Sequence, residues 1–213
     1  GGLAMCNVVL GWDCHDKLYD NARYTGWHTA YPDAEVRLVP GSFRDLPFEP
    51  TDGGDMLFVL GEFAGAAEAV CPRALLRRVL ARAEAMGFDA YAALEYEFFM
   101  FQETPESVRA KGYRDLQTWT PGAFGYSVLR SSVHADFYRE LLALCETMDM
   151  PIEGLHTETG PGVLEAALAY DEAGAMADKA ILFKTFVKVL AQKHGLMATF
   201  MAKWSQEQPG QSG

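Results

Sequence analysis

The chain has 213 residues, enough for one large domain or a medium domain with a smaller one. Hydrophobic residues make up 49% and charged residues 22%, a globular balance that argues against disorder. The formal net charge of −11 argues against nucleic acid and anionic membranes as partners, since both are bound through basic faces; it suits a protein that gathers cations, although solubility alone would account for it.

Residues 5 to about 61 read as β-rich, with strands predicted at 5–12, 35–39 and 56–61 between turn clusters such as Pro50-Thr51-Asp52-Gly53-Gly54-Asp55. Pro72 opens a helix at a position where a missing N–H costs nothing. Leu75, Leu76, Val79, Leu80 and Ala83 follow at helical spacing, and Gly87 ends it. Residues 88–102, apolar and aromatic, predict a long strand, followed by a polar loop with Pro105, Gly112 and Pro121. Helical spacing returns at Phe137, Leu141, Leu144, Cys145 and Met148, and Pro151 stops it. Residues 152–159 and 163–169 predict a hairpin around Gly160-Pro161-Gly162. Ile181, Leu182, Thr185, Phe186, Val189 and Leu190 mark a third helix closed by Gly195, and Leu196 to Ala202 a last strand.

Strands and helices mix without strict alternation, which makes the class α+β. Cys6, Cys14, Cys71 and Cys145 form no C-x-x-C pair and read as thiols in a reducing compartment. No apolar run reaches the roughly 18 residues of a membrane span and no signal-peptide pattern is visible, so the expected location is cytoplasmic. Both ends look cut: the chain opens inside an apolar run and stops in a loop after a strand.

Two acidic pairs stand where acid is expensive. Glu95 and Glu97 lie two apart in Tyr91-Ala92-Ala93-Leu94-Glu95-Tyr96-Glu97-Phe98-Phe99-Met100, hence on one face of a strand and roughly 6.6 Å apart along it. Two carboxylates on an otherwise apolar strand repel, and a divalent cation is the simplest compensation, because Mg²⁺ and Mn²⁺ prefer oxygen ligands. The plainer reading is a strand with one wet face. The second pair, Glu158 and Glu165, flanks the predicted turn, which can bring both to one place; an ordinary polar hairpin is the plainer reading. Glu153, an odd number of residues before Glu158, falls on the opposite face unless Gly154 hosts a bulge, so a different role near the site is expected of it. His156-Thr157-Glu158 raises zinc, but zinc sites want several His or Cys ligands and the five His are scattered. His134 and His194 read as surface or helix-end residues.

Taken together these segments resemble the glutamine synthetase family. Glu95-Tyr96-Glu97-Phe98-Phe99 is similar to its Glu-x-Glu-Phe-Phe strand, and Ile152 to Glu165 to its central His-x-Glu…Glu hairpin. Thr199-Phe200-Met201-Ala202-Lys203 resembles the strand entering the glutamate-binding loop, and Ser212-Gly213 the start of a Ser-Gly-x-His segment. The resemblance implies the end of an N-terminal β-grasp domain, 1–65, and the first half of a catalytic domain, 66–213, an antiparallel sheet with flanking helices. Glu97, Glu158 and Glu165 would hold one Mg²⁺ or Mn²⁺, and Glu95 would belong to a second that bridges ATP phosphates. Glu153 would contact the nucleotide. Gly210 and Gln211 would border the substrate, and Asp13 would serve the ammonium pocket of an adjacent subunit in a homo-oligomer. The implied reaction is ATP-dependent joining of ammonia or an amine to glutamate or a close analogue, through γ-glutamyl phosphate.

Three features depart from the family: Val163 stands where Gln is common, Trp204 where Pro is common, and the loop Ser205 to Gln211 lacks the usual Gly-Asn-rich composition. All three fall near the substrate and leave room for another acid or a larger amine. The chain stops before the family's metal-binding histidine and phosphate-binding arginines, so no ligase activity is expected of these 213 residues alone. The alternatives are a non-catalytic relative retained as a structural protein, and an ATP:guanidino phosphotransferase.

Overall fold

The computed structural model describes residues 2–13, 15, 17–20 and 25–211; Cys14, Ser212 and Gly213 lie outside the described residues. Cα packing divides the chain into two compact units, Gly1–Ala90 and Tyr91–Gly213. This division falls after Ala90, whereas the boundary expected from the sequence lies between 65 and 66.

In the first unit, β1 (Leu3–Cys6), β2 (Asp33–Leu38), β3 (Arg44–Thr51), β4 (Gly54–Phe58) and β5 (Gly61–Phe63) form two antiparallel sheets. One has the order β1-β2-β5; the other is the β3-β4 hairpin. The helix α1 (Pro72–Ala85) buries Ala74 against Phe63, Ala67 and Cys71. Glu62 on β5 holds Arg37 of β2 at 3.2 Å and Arg73 and Arg77 of α1 at 3.3 and 2.6 Å, tying sheet to helix. The strand expected at 5–12 ends at Cys6, and Asn7–Gly11 is a 3₁₀ turn. The reason is pairing: Cys6 lies opposite Asp33, where β2 begins, so the β1–β2 ladder ends there. The helix start at Pro72 and the stop near Gly87, which adopts φ 85, agree with expectation.

In the second unit, β6 (Tyr91–Phe101) is followed by the helices α2 (Pro105–Ala110), α3 (Val128–Val133) and α4 (Ala135–Thr147). Then come β7 (Ile152–Thr157), β8 (Val163–Glu172), α5 (Ala173–Lys193) and β9 (Met197–Thr199). The sheet order is β7-β8-β6-β9, with every neighbouring pair antiparallel. Successive strand residues alternate faces. Tyr96 and Phe98 turn to α5, where both rings meet Phe183, at 5.6 and 6.1 Å. Leu164, Ala166 and Leu168 of β8 are buried on that same face. The α5 helix starts well before its apolar pattern becomes legible, because the Glu172 carboxylate accepts the Gly174 and Ala175 N–H groups as an N-cap. Only Met197–Thr199 of the expected last strand pairs with β6. Cys6, Cys71 and Cys145 are free thiols, and burial pushes Cys145 up to about 12. Among the described residues no helix is long and apolar enough to cross a membrane.

Candidate functional site

The face of the sheet turned away from α5 carries the acidic residues. Pairing places Glu97 of β6 directly opposite Glu165 of β8, and Glu95 opposite Ala167. On the other side of β8, His156 of β7 also lies opposite Glu165. Glu165 is therefore flanked by a carboxylate on one neighbouring strand and an imidazole on the other. Glu158 follows β7 by one residue and shares the face of His156, two positions earlier.

The turn that brings Glu158 back toward Glu165 is built from glycines for steric reasons. Gly162 has φ +73, and a Cβ there would stand 2.4 Å from the Met100 carbonyl oxygen. The Met100 N–H in turn donates to the Gly162 carbonyl at 2.8 Å, and the Gly162 N–H to the Thr120 hydroxyl at 3.1 Å. Only a residue without a side chain admits this approach.

One oxygen or nitrogen from each of His156, Glu158 and Glu165 can be grouped within 4.8 Å of the others. His156 Nδ1 lies 3.8 Å from Glu158 Oε2, and Nε2 lies 3.8 Å from Glu165 Oε1. Glu158 Oε1 accepts the Thr159 N–H at 2.7 Å. Glu158 Oε2 is buried with no hydrogen-bond donor, so the carboxylate is only half satisfied. Burial raises the pKa of Glu165, and the charges of Glu97, Glu95 and Glu158 push it the same way, while His156 pulls it down. At Glu158 burial also works upward, but the Tyr126 hydroxyl and the Thr159 N–H outweigh it and hold the group below the usual carboxylate range. Two carboxylates, one of them with an orphaned buried oxygen, and an imidazole form a donor set that a divalent cation would satisfy.

Glu158 and Glu165 thus belong to the close group, while Glu95 and Glu97 stand outside it on the same sheet face and act on Glu165 through their charge. The Glu158–Glu165 pair meets across the turn, as expected. Glu153 sits at a register shift: Ile152 pairs with Leu168 and Gly154 with Ala167, so Glu153 is the extra residue of a bulge and is exposed. Gly210 closes against the Ala202 carbonyl, 3.1 Å from where its Cβ would be, and the Gln211 N–H donates to that carbonyl at 2.6 Å. The Gln211 side chain is buried and its amide donates to the Thr159 carbonyl. Asp13 lies in the first unit, where its carboxylate accepts the His15 and Lys17 N–H groups at 2.8 and 3.0 Å and the Tyr19 hydroxyl at 3.0 Å. Val163 and Trp204, two of the departures, pack on one cluster: Val163 is buried with Phe99 and Phe101, and the Trp204 ring stands 4.9 Å from Phe101.

Two residues gain a role only in the structure. The sequence names His156 within a disfavoured zinc pattern and the family-like hairpin, and its i, i+2 relation to Glu158 puts both on one face, but the register that sets it opposite Glu165 is not legible there. Tyr126 offered no signal, because it comes from a loop of unknown course. Its N–H donates to the Thr157 carbonyl at 2.7 Å with φ 53, which lays its ring on His156 at 4.7 Å and 29°. Its hydroxyl meets Glu158, whose hydrogen bond and charge raise the phenol pKa.

A family profile described as glutamine synthetase, catalytic domain, matches residues 69–213. The whole chain aligns at 40% identity with Type-1 glutamine synthetase 2 of Dictyostelium discoideum, covering 40% of that protein. It aligns in full at 34% identity with a glutamate–isopropylamine ligase of Pseudomonas sp, covering 46% of it. The chain therefore spans less than half the length of these relatives. In fold, 98% of it superposes on 44% of a chain in the GmaS/ADP complex, with a TM-score of 0.75 and 21% identity.

Proposed function

The chain belongs to the glutamine synthetase family through its catalytic domain, and from that premise we propose that the full-length protein is an ATP-dependent carbon–nitrogen ligase. It joins ammonia or an amine to the γ-carboxylate of glutamate or a close analogue, through γ-glutamyl phosphate. The observation that carries this reading is the acidic sheet face, where Glu97 and His156 flank Glu165 and one buried oxygen of Glu158 lacks a donor. Like charges directly opposite on a sheet cost stability, so this face calls for a cationic ligand.

Glu158, Glu165 and Glu97 would hold one Mg²⁺ or Mn²⁺, with His156 as a further donor, and Glu95 would belong to a second. Bound cations would screen the phosphates of ATP and the substrate carboxylate so that two anions can meet. His156 turns Nδ1 to Glu158 and Nε2 to Glu165, so its imidazole sits among the carboxylates that would hold the cation. The Tyr126 ring shields one side of that imidazole from water. Glu153, exposed on its bulge, is free to meet the nucleotide, and the loop bearing Gly210 and Gln211 would border the acid substrate. Asp13 would serve an amine pocket in a neighbouring subunit of a cytoplasmic homo-oligomer. Residues 1–65 would close a β-grasp domain, and 66–213 would form the first part of the catalytic domain. A relative named for isopropylamine supports testing amines larger than ammonia.

The test is phosphate release and product mass with full-length protein, ATP, Mg²⁺ or Mn²⁺, glutamate, and a panel of ammonia, isopropylamine and other primary amines. Release that requires both glutamate and an amine is expected. Turnover independent of glutamate would overturn the proposal.

A further inference from the structure

We propose that Gln211 is a positioning residue: through the Thr159 peptide it sets the carboxylate of Glu158, and with it the affinity of the site for a divalent cation. The inference rests on the metal reading of that site given above. Thr159 faces two ways. Its N–H donates to Glu158 Oε1 at 2.7 Å, and its carbonyl accepts the side-chain amide of Gln211. The two groups belong to peptide units on either side of one Cα, so the Gln211 bond limits how the residue can turn. Without it, the Thr159 carbonyl loses this donor and the backbone gains freedom to swing the N–H away from Glu158.

The far end of the tether is itself fastened. Gln211 is 7% exposed, and its own N–H bonds Ala202 just after β9. The Lys203 ammonium donates to the Gln208 carbonyl at 2.9 Å, closing the intervening loop on itself. Near Thr159 the turn is packed: a Cβ on Gly160 would lie 2.7 Å from a Val163 methyl, with the Gln211 amide nitrogen in ordinary contact at 3.5 Å. The turn is thus held from two sides, by Thr120 at Gly162 and by Gln211 at Thr159. The Thr120 anchor is remote from Glu158 in the turn, whereas the Gln211 anchor is on the adjoining residue. Partners of metal ligands typically change metal affinity about 10- to 100-fold when lost.

The experiment is calorimetric titration of Mn²⁺ into full-length wild type, Gln211→Met, Gln211→Ala and Glu158→Gln. Gln211→Met nearly keeps the volume, adds no charge and removes the N–H donor, so it separates the hydrogen bond from packing. Both Gln211 variants are expected to bind Mn²⁺ about tenfold more weakly, with a melting temperature close to that of wild type. Hydrogen exchange of the 158–163 segment should quicken in both, which reads the tether without metal. Wild-type Mn²⁺ affinity in both variants would overturn the proposal, and so would weakening in Gln211→Ala alone, which would assign the effect to packing. Wild-type affinity in Glu158→Gln would instead sink the metal reading of the site.

Discussion

Replacing Glu103 by glutamine should loosen the segment that buttresses the turn of the acidic site. Glu103 is 2% exposed, and its carboxylate accepts from the Lys111 ammonium at 2.5 Å, the Ser107 hydroxyl at 2.6 Å and the Gln117 N–H at 2.9 Å. The Lys111 bond first, then Ser107 and Gln117, hold its pKa at about 2, down from 4.5. At about 1.4 kcal/mol per tenfold change in acidity, that difference bounds the stabilisation near 3 kcal/mol. The Lys111 side chain is 40% exposed and screened by solvent, which brings the expected value to about 2 kcal/mol. The folded value lies below the unfolded one, so this stability is fully present above pH 4.5 and fades as pH falls toward 2. The effect reaches the site through the strap from Gln117 to Thr120: Gln102 N–H bonds the Gln117 carbonyl, Trp119 N–H bonds Met100, and Thr120 holds Gly162. Hydrogen exchange of residues 102–118 is the assay. At neutral pH Glu103→Gln should lose roughly 30-fold protection, which is what about 2 kcal/mol amounts to, and near pH 2 mutant and wild type should converge. Equal protection at neutral pH would refute this account of Glu103.

Glu97→Ala in the full-length protein should abolish glutamate-dependent turnover yet leave the melting temperature unchanged or higher, since it removes a like charge opposite Glu165; loss of folded protein would contradict this. Gly162→Ala should destabilise by about 3 kcal/mol or more in urea unfolding, because a Cβ would stand 2.4 Å from the Met100 carbonyl at a φ of +73. Tyr126→Ala should speed modification of His156 by diethylpyrocarbonate several-fold, whereas Tyr126→Phe, which keeps the stacked ring, should not. Peptide mapping of the modified histidine reads both.

Some of the site was legible as a local pattern. The period of two in Glu95-Tyr96-Glu97-Phe98 assigns carboxylates and aromatic rings to opposite faces of β6, and the fold keeps that assignment, with Tyr96 and Phe98 against α5. The Gly160-Pro161-Gly162 turn announced a hairpin, and the possibility of a bulge at Gly154 proved relevant, since Glu153 is its extra residue. The two short helices α2 and α3 were not legible, being too brief for a periodic signal and resting on caps at Thr104 and Ser127.

The sequence by itself determined which residues alternate, where turns fall and which carboxylates share a strand face, because these depend on neighbours a few bonds apart. Tertiary structure alone decided the partners. Strand register set His156 against Glu165, the start of β2 at Asp33 ended the β1 ladder at Cys6, and the courses of two loops brought Tyr126 onto His156 and Gln211 to Thr159. Most of those contacts join residues tens of positions apart, and all depend on chain geometry that no short window of sequence contains.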